Sequence, residues 1–411
     1  MRSTNVCLLG GYQTDFARNW RREHKHIVAM MREAFDGGIC DTRLDPSDID
    51  AVIVGNFAAE LYCKQAQLGA FCVDFHPALA GVPTMRVEAA CAAGAVAVLT
   101  ATAYIRGGLA DLVCVVGVEQ MKTVDALRGG DFLGAAAWQD REAQGIAHPF
   151  TRLFGRLGDE YEKRYGLDRQ HLAAIADLNH RNAQRNPKAQ TRTWFLNLEH
   201  ASKAGRYNPM ISNTLRATDC CPITDGAVCV FVASDRYASA FSSRTGRPLS
   251  AVSRLLGWGH TTATMAFEDK TGGTHSDYVL PFTRKAICDA FAAAGVPDCW
   301  GLDAVETHDC FTTSEYMTID HFGITKPGEA WRAIEDGTIE VGGRLPVNPS
   351  GGLMGVGHPV GATGVRQVLD AHKQVTGAAG DYQVEGAKKV ATLNIGGTAT
   401  TNVCFVIGAE G

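Results

Sequence analysis

A chain of 411 residues, 45% hydrophobic and 20% charged, can bury a large core and has room for two structural halves with an insertion between them. Its formal net charge of -5 argues against nucleic acid or an anionic membrane as the main partner, because either selects a basic surface. No apolar run reaches the roughly 18 residues that suggest a membrane span, and residues 1–10 lack the apolar core of a secretion signal. A soluble, unexported chain is therefore expected. The final Ala409-Glu410-Gly411 is not a Ser-Lys-Leu address, so the expected compartment is the cytoplasm.

In chain order, apolar runs of strand length fall at Val6 to Gly11 and Ala51 to Gly55. A short strand, Thr84 to Val87, leads into the turn Glu88-Ala89-Ala90-Cys91-Ala92-Ala93-Gly94. That turn opens a helix running to Ile105, and the strand Leu112 to Val118 follows. From Glu119 to about Arg206 the texture becomes charged and amide-rich, with helices over Asp159 to Tyr165 and Arg169 to Asn186 and no strand. Val228 to Ala233 completes the first part. The second part carries strands at Ala251 to Leu256, Ala304 to Thr307, Val390 to Ile395 and Val403 to Ile407. It also repeats the earlier motif: Gly357-His358-Pro359-Val360-Gly361-Ala362-Thr363-Gly364 opens a helix to Val375, and a strand follows. The alternation predicts an α/β protein, and the echo predicts two related halves whose helix starts meet at a shared site. The expected division is 1–118 with 207–248 as one half, 119–206 as an inserted lobe, and 249–411 as the other half.

The 13 cysteines contain no Cys-x-x-Cys pair, so neither a disulfide framework nor a structural zinc site is expected. Cys7, Cys114, Cys229 and Cys404 sit in apolar runs, where a thiol packs as a small hydrophobe. Cys220-Cys221 with His200 or His260 matches no familiar zinc spacing. No metal is expected.

Four segments carry chemistry. Cys91 starts a helix, where unpaired N–H groups and the macrodipole stabilise a thiolate and lower its pKa; a structural cysteine packed among alanines is the alternative. In Val305-Glu306-Thr307-His308-Asp309-Cys310-Phe311 an apolar strand runs out into titratable groups. His308 can donate to an oxyanion, Cys310 can pass a proton to or from carbon, and Asp309 reads as an N-cap or orienting partner. A capped helix start is the plainer reading. The glycines of Asn348 to Gly352 and Gly357 to Gly364 point to a backbone that bends sharply or approaches a ligand, with His358 suited as base toward a thiol; the alternative is a flexible turn with a surface histidine. In Thr392 to Thr398 the N–H of Gly396 is free to form half of an oxyanion hole. Arg152, Arg156, Lys163, Arg164, Arg181 and Arg185 in the lobe could meet phosphates or be solvated helix faces.

At these segments the sequence resembles the thiolase superfamily, and in particular the sterol-carrier-protein type. The His-Asp-Cys-Phe run at 308–311 is similar to the signature of that type, where commoner thiolases carry Asn-Glu-Ala-Phe. Residues 348–364 resemble the thiolase Gly-His-Pro block; further similarity lies in Asn179-His180 through Asn186-Pro187 and in Thr224 to Ala227.

The resemblance implies a five-layered αβαβα fold with a loop domain covering coenzyme A. It also implies a homodimer or homotetramer, and an acyltransferase of lipid metabolism acting on 3-ketoacyl-CoA. Coenzyme A would be co-substrate, with no permanently bound cofactor. Cys91 would be acylated, His358 would activate it, and Cys310 would be the acid/base thiol. His308 and His358 would form one oxyanion hole, and the backbone N–H groups of Cys91 and Gly396 the other.

Two departures stand out: Asn394 occupies the place of the second catalytic cysteine of commoner thiolases, and Ala92-Ala93 stands where Ala-Ser is frequent. Competing readings are a thiolase-like aldolase or acyltransferase working with a small OB-fold companion, and a non-catalytic acyl-CoA binder.

Overall fold

The structure is a computed structural model that describes residues 5–271 and 275–409. Strands β1 (Val6–Gln13), β2 (Ala51–Gly55), β3 (Thr84–Val87), β4 (Leu112–Gln120) and β5 (Asp225–Ser234) belong to the first part. Strands β6 (Ser253–Thr262), β7 (Ala304–Glu306), β8 (Lys389–Gly396) and β9 (Thr401–Ala409) belong to the second. They form one sheet in the order β3-β2-β4-β5-β1-β6-β9-β8-β7.

Followed outward from the β1/β6 junction, both arms repeat a single pattern. β1 pairs antiparallel with β5, β5 antiparallel with β4, and β4 parallel with β2. β6 pairs antiparallel with β9, β9 antiparallel with β8, and β8 parallel with β7. The duplication expected from the echoing turns is thus a duplication of topology, with β3 as an extra parallel edge strand in the first arm. The arms are joined by the pairs Cys7↔Arg254 and Leu8↔Ser253.

The helices that matter for the site are α1 (Ile27–Thr42), α2 (Ala93–Arg106), α3 (Pro149–Tyr165), α4 (Arg169–Ala183), α5 (Pro281–Ala294), α6 (Thr312–Phe322) and α7 (Val360–Thr376). Period-two alternation along the strands sorts the core into layers. Val228, Val230 and Val232 of β5 face α2 and α7, while Cys229 and Phe231 face Met30, Met31, Ala34 and Phe35 of α1. In the second arm Val403, Phe405 and Ile407 of β9 face α2 and α7, and Cys404 and Val406 face the side of α5. The result is α1, sheet arm, α2 with α7, sheet arm, α5 with α6: five layers.

The central layer explains the small residues at both helix starts. A Cβ on Gly94 would lie 2.7 Å from the Gly361 carbonyl oxygen, and one on Gly364 would lie 2.2 Å from the Ala95 nitrogen. The two backbones touch there, so any side chain would force the halves apart. The N-termini of α2 and α7 therefore arrive side by side.

Strand positions follow the sequence reading, with one informative shift. The strand expected at Ala251 to Leu256 begins at Ser253 and continues to Thr262 through Gly257 and Gly259. These glycines are packing requirements: a Cβ on Gly259 would lie 1.9 Å from the Ala286 carbonyl oxygen of α5. The helix expected over Arg169 to Asn186 ends at Ala183. Between β4 and β5 the chain is helical, with isolated bridges at Gly205↔Asn208 and Met210↔Arg216. Among the described residues no helix is long and apolar enough to cross a membrane. All thirteen cysteines are free.

Candidate active site

Cys91 sits on the turn between β3 and α2. Ala90 is held at φ 49°, in the left-handed region that alanine rarely adopts, and this sharp turn swings the next side chain inward. The end of β8 presses against the turn, because a Cβ on Gly396 would lie 2.2 Å from the Ala89 carbonyl oxygen. Backbone N–H groups of Gly397 and of Cys91 itself point at the sulfur and pull its pKa down. Burial and then the carboxyls of Glu119 and Glu88 oppose them, and the thiol is pushed up to about 12. The sequence reading, a thiol lowered by the helix start, is overturned here: Cys91 is 2% exposed, and desolvation of a thiolate outweighs the dipole.

His358 is buried as well, not at a surface turn. Its backbone N–H donates to Thr224 Oγ1 at 2.9 Å, and its Nδ1 lies 2.6 Å from Thr363 Oγ1. The Thr363 hydroxyl donates its one proton to the Pro359 carbonyl at 3.1 Å. With the hydroxyl placed on Pro359, Thr363 Oγ1 accepts from His358, an assignment that puts the ring proton on Nδ1 and leaves the Nε2 lone pair free. Nε2 has no partner among the described residues. Burial, reinforced by Arg366, holds the imidazole neutral with its pKa lowered to about 3.

His308 follows β7 and is fully buried, with both ring nitrogens unpartnered among the described residues. Burial, then His358, then Arg366 keep it neutral. The two rings stand edge to face, centroids 5.3 Å apart. One donor atom from each of Cys91, His308 and His358 lies within 4.8 Å of the others. This trio is also the one cluster among the described residues with the spacing of metal ligands; Cys220 and Cys221 form none with His200 or His260.

Cys310 shares a cavity of about 90 Å³ with Cys91 and His358. Burial raises its thiol well above the ordinary value, as do the neighbouring Cys221 and Cys91. The rest of the wall is apolar, including Met121, Leu133, Phe150, Phe311 and Val360. Cys220 and Cys221 also line it, and the Cys221 N–H donates to the Cys310 carbonyl at 3.0 Å. Their place in this wall was not visible in the sequence, where only their adjacency marked them.

Two further groups build the site. Asp309 accepts from the N–H groups of Leu353 at 2.6 Å and Met354 at 3.0 Å, and from Asn179 Nδ2 at 3.0 Å. It thus caps the short helix Gly352–Val356 across the site instead of α6, whose N-cap Phe311 makes no side-chain cap. Glu119, which the sequence reading passed over, accepts from the N–H groups of Phe57, Ala58 and Gly361 and from Asn56 Nδ2. It ties β4 to the start of α7, and burial raises its carboxyl to about 7. Of the basic lobe residues, Arg156 pairs with Glu268, Arg181 with Asp177, and Arg185 donates to Asn182 Oδ1.

Comparison with known proteins places the chain. The thiolase N-terminal domain matches residues 6–193, and the thiolase C-terminal domain-like family matches residues 265–409. An acetyl-CoA acetyltransferase of Methanothermobacter thermautotrophicus is 34% identical, over 97% of both chains. Human sterol carrier protein 2 is 29% identical over 95% of this chain and 70% of that one. A solved structure of an Ltp2-ChsH2(DUF35) aldolase superposes with a TM-score of 0.76 at 20% identity, covering 98% of each chain. With both halves matched and a relative that similar along almost its whole length, the chain belongs to the thiolase family.

Proposed function

We propose that this protein is an acyltransferase that reversibly cleaves or forms 3-ketoacyl-CoA through an acyl group carried on Cys91. The observation that carries the reading is the convergence of the Cys91 sulfur with two neutral imidazoles, beside a second thiol in a shared apolar cavity. In the cleavage direction His358 Nε2 takes the Cys91 proton, and the thiolate attacks the 3-keto carbon. The carbon–carbon bond then breaks, and its electron pair leaves as the enolate of acetyl-CoA. Cys310 gives its proton to that carbon. The enolate oxygen is held by N–H groups of His308 and the newly protonated His358, and the oxygen on the acylated carbon by the backbone N–H groups of Cys91 and Gly396. Free coenzyme A gives its thiol proton to the Cys310 thiolate and attacks the acyl-Cys91 thioester; acyl-CoA is released as the departing Cys91 sulfur takes back the proton held by His358. Coenzyme A is thus a co-substrate, and the chemistry calls on no permanently bound cofactor and no metal.

The same reading assigns 1–118 with 207–248 and 249–411 as the two halves, and 119–206 as the lobe covering coenzyme A. Leu133, Phe150 and Thr151 of that lobe support it by lining the cavity. A homodimer or homotetramer is supported by β3, a half-buried edge strand paired on one side only. A cytoplasmic location is supported by thirteen free thiols, which persist in a reducing compartment.

Purified protein mixed with acetoacetyl-CoA and coenzyme A should consume both, and Cys91→Ala should abolish turnover. If neither substrate is consumed and Cys91→Ala changes nothing, the proposal fails. Activity that emerged only with a small OB-fold partner would instead favour the aldolase-like reading.

A further inference from the structure

Asn394 lies in β8 at zero exposure, and its Nδ2 donates to Gln367 Oε1 of α7 at 2.6 Å. Gln367, equally buried, donates through Nε2 to the Thr307 carbonyl at 2.8 Å. That carbonyl belongs to the peptide bond leading into His308. On the other side of the same residue, the Thr307 N–H donates to Asn348 Oδ1 at 2.8 Å. Asn348 is itself anchored by Nδ2 to Glu315 at 2.8 Å and, through its carbonyl, by Asn182 at 3.1 Å. The backbone entering His308 is therefore clamped from two directions.

The clamp matters because of what His308 lacks. His358 is aimed by Thr363 through its own ring, whereas neither ring nitrogen of His308 has a partner among the described residues. An imidazole without a ring hydrogen bond keeps its aim only through its backbone and the packing around it. The Asn394–Gln367 pair reaches that backbone directly, and each amide needs the other: without the Asn394 donor, Gln367 Oε1 is stranded in the core and the glutamine amide loses its fixed orientation.

We infer that Asn394 and Gln367 are positioning residues for carbon–carbon bond cleavage and formation, holding His308 on the enolate oxygen through the Thr307 carbonyl. The inference rests on the proposed role of His308. It assigns no contact with substrate to either amide. Because the oxygen on the acylated carbon is held elsewhere, by backbone N–H groups, the two half-reactions should separate.

The test uses the full chain and two isosteric variants, Gln367→Met and Asn394→Leu, each checked for folding by its melting transition. Two rates are measured: thiolysis of acetoacetyl-CoA, and exchange of the acetyl group between acetyl-CoA and labelled coenzyme A, which requires acylation of Cys91 but no carbon–carbon step. In Gln367→Met, kcat for thiolysis should fall by about tenfold to hundredfold, as expected for a misplacement of the order of 1 Å. Its KM and acetyl exchange should stay within about twofold of the parent. Asn394→Leu should reproduce the thiolysis defect, and the double variant should be no worse than the single ones. Equal losses in thiolysis and exchange, or additive losses in the double variant, would overturn the inference. So would unchanged thiolysis in Gln367→Met when His308→Ala is impaired. Unchanged thiolysis in His308→Ala itself would instead overturn the underlying assignment of His308.

Discussion

Replacing Thr363 by valine tests the tautomer argument on which the base depends. Valine keeps the shape and removes the one acceptor of the His358 Nδ1 proton among the described residues. Pro359 loses the Thr363 hydroxyl, yet its carbonyl retains the backbone N–H groups of Ala362 at 2.8 Å and Thr363 at 3.0 Å, so α7 keeps its first turn. A buried N–H left without a partner costs about 1–3 kcal/mol. The ring escapes that cost by moving its proton to Nε2, which then faces Cys91 as a donor and cannot accept. At about 1.4 kcal/mol per factor of ten, the competent tautomer falls by about tenfold to hundredfold. kcat/KM for acetoacetyl-CoA thiolysis and the rate of Cys91 acylation by acetyl-CoA should fall together by that factor. Thr363→Ser, which keeps the hydroxyl, should restore both. If Thr363→Val acylates Cys91 at the parental rate while Cys91→Ala is inert, the proton is not where the Thr363 contact puts it, and the assignment of Nε2 as base is refuted.

Gly396→Ala should unseat the nucleophile: its Cβ meets backbone at 2.2 Å, so a stability loss of about 1–3 kcal/mol and loss of acylation are expected, read by melting temperature and intact-protein mass. Phe150→Ala should open the cavity wall and shift preference from acetoacetyl-CoA toward longer 3-ketoacyl-CoA substrates; an unchanged chain-length profile would remove Phe150 from the acyl site. Glu315→Gln should change the pH dependence of stability. Burial raises this carboxyl from 4.5 to about 8, so between those values the folded state holds a proton that the unfolded chain has released, and the parent loses up to about 1.4 kcal/mol per pH unit as pH rises. The variant mimics the protonated form, still accepting from Asn179 and Asn348, so it should gain on the parent from pH 4.5 to 8 and not below. A gap between the two melting curves that does not change with pH would contradict the shift.

Much of the fold was legible because burial imposes periods on sequence. Val228 to Ala233 alternates between two cores, so its strand could be read directly; the helix from Ala93 could be read from its small residues. Gly257 and Gly259 could not be read, since their role depends on the Ala286 backbone of a helix placed against them only by folding. At the site, Cys91, His308, Cys310 and His358 stood out because reactive side chains followed strands or opened helices, and the structure brings all four to one buried region. Glu119 did not stand out at the end of its apolar strand, and Cys221 was marked only by its adjacency to Cys220. Each gains its place from contacts with distant chain, Gly361 for one and Cys310 for the other. The Asn394–Gln367 pair was hidden for a similar reason: an amide's partner is a matter of three dimensions.

Because burial raises the Cys91 thiol, the helix start serves the reaction and not the resting state. A thiolate already stabilised in the resting enzyme would lower the ground state together with the transition state and gain nothing in kcat. Burial instead keeps the Cys91 thiol and the His358 imidazole neutral. Charge appears only when the proton moves and the substrate oxygen begins to carry the negative end. In the proposed reaction the N–H groups of Cys91 and Gly397 and the start of α2 then act on the nascent thiolate in a dry site, without first having to shed water. In the same proposed reaction the neutral rings of His308 and His358, packed edge to face, keep both His308 nitrogens and His358 Nε2 unspent on partners among the described residues and so in reserve for the second oxygen. Burial that opposes the resting thiolate is thus the same burial that strengthens the fixed dipoles during the reaction.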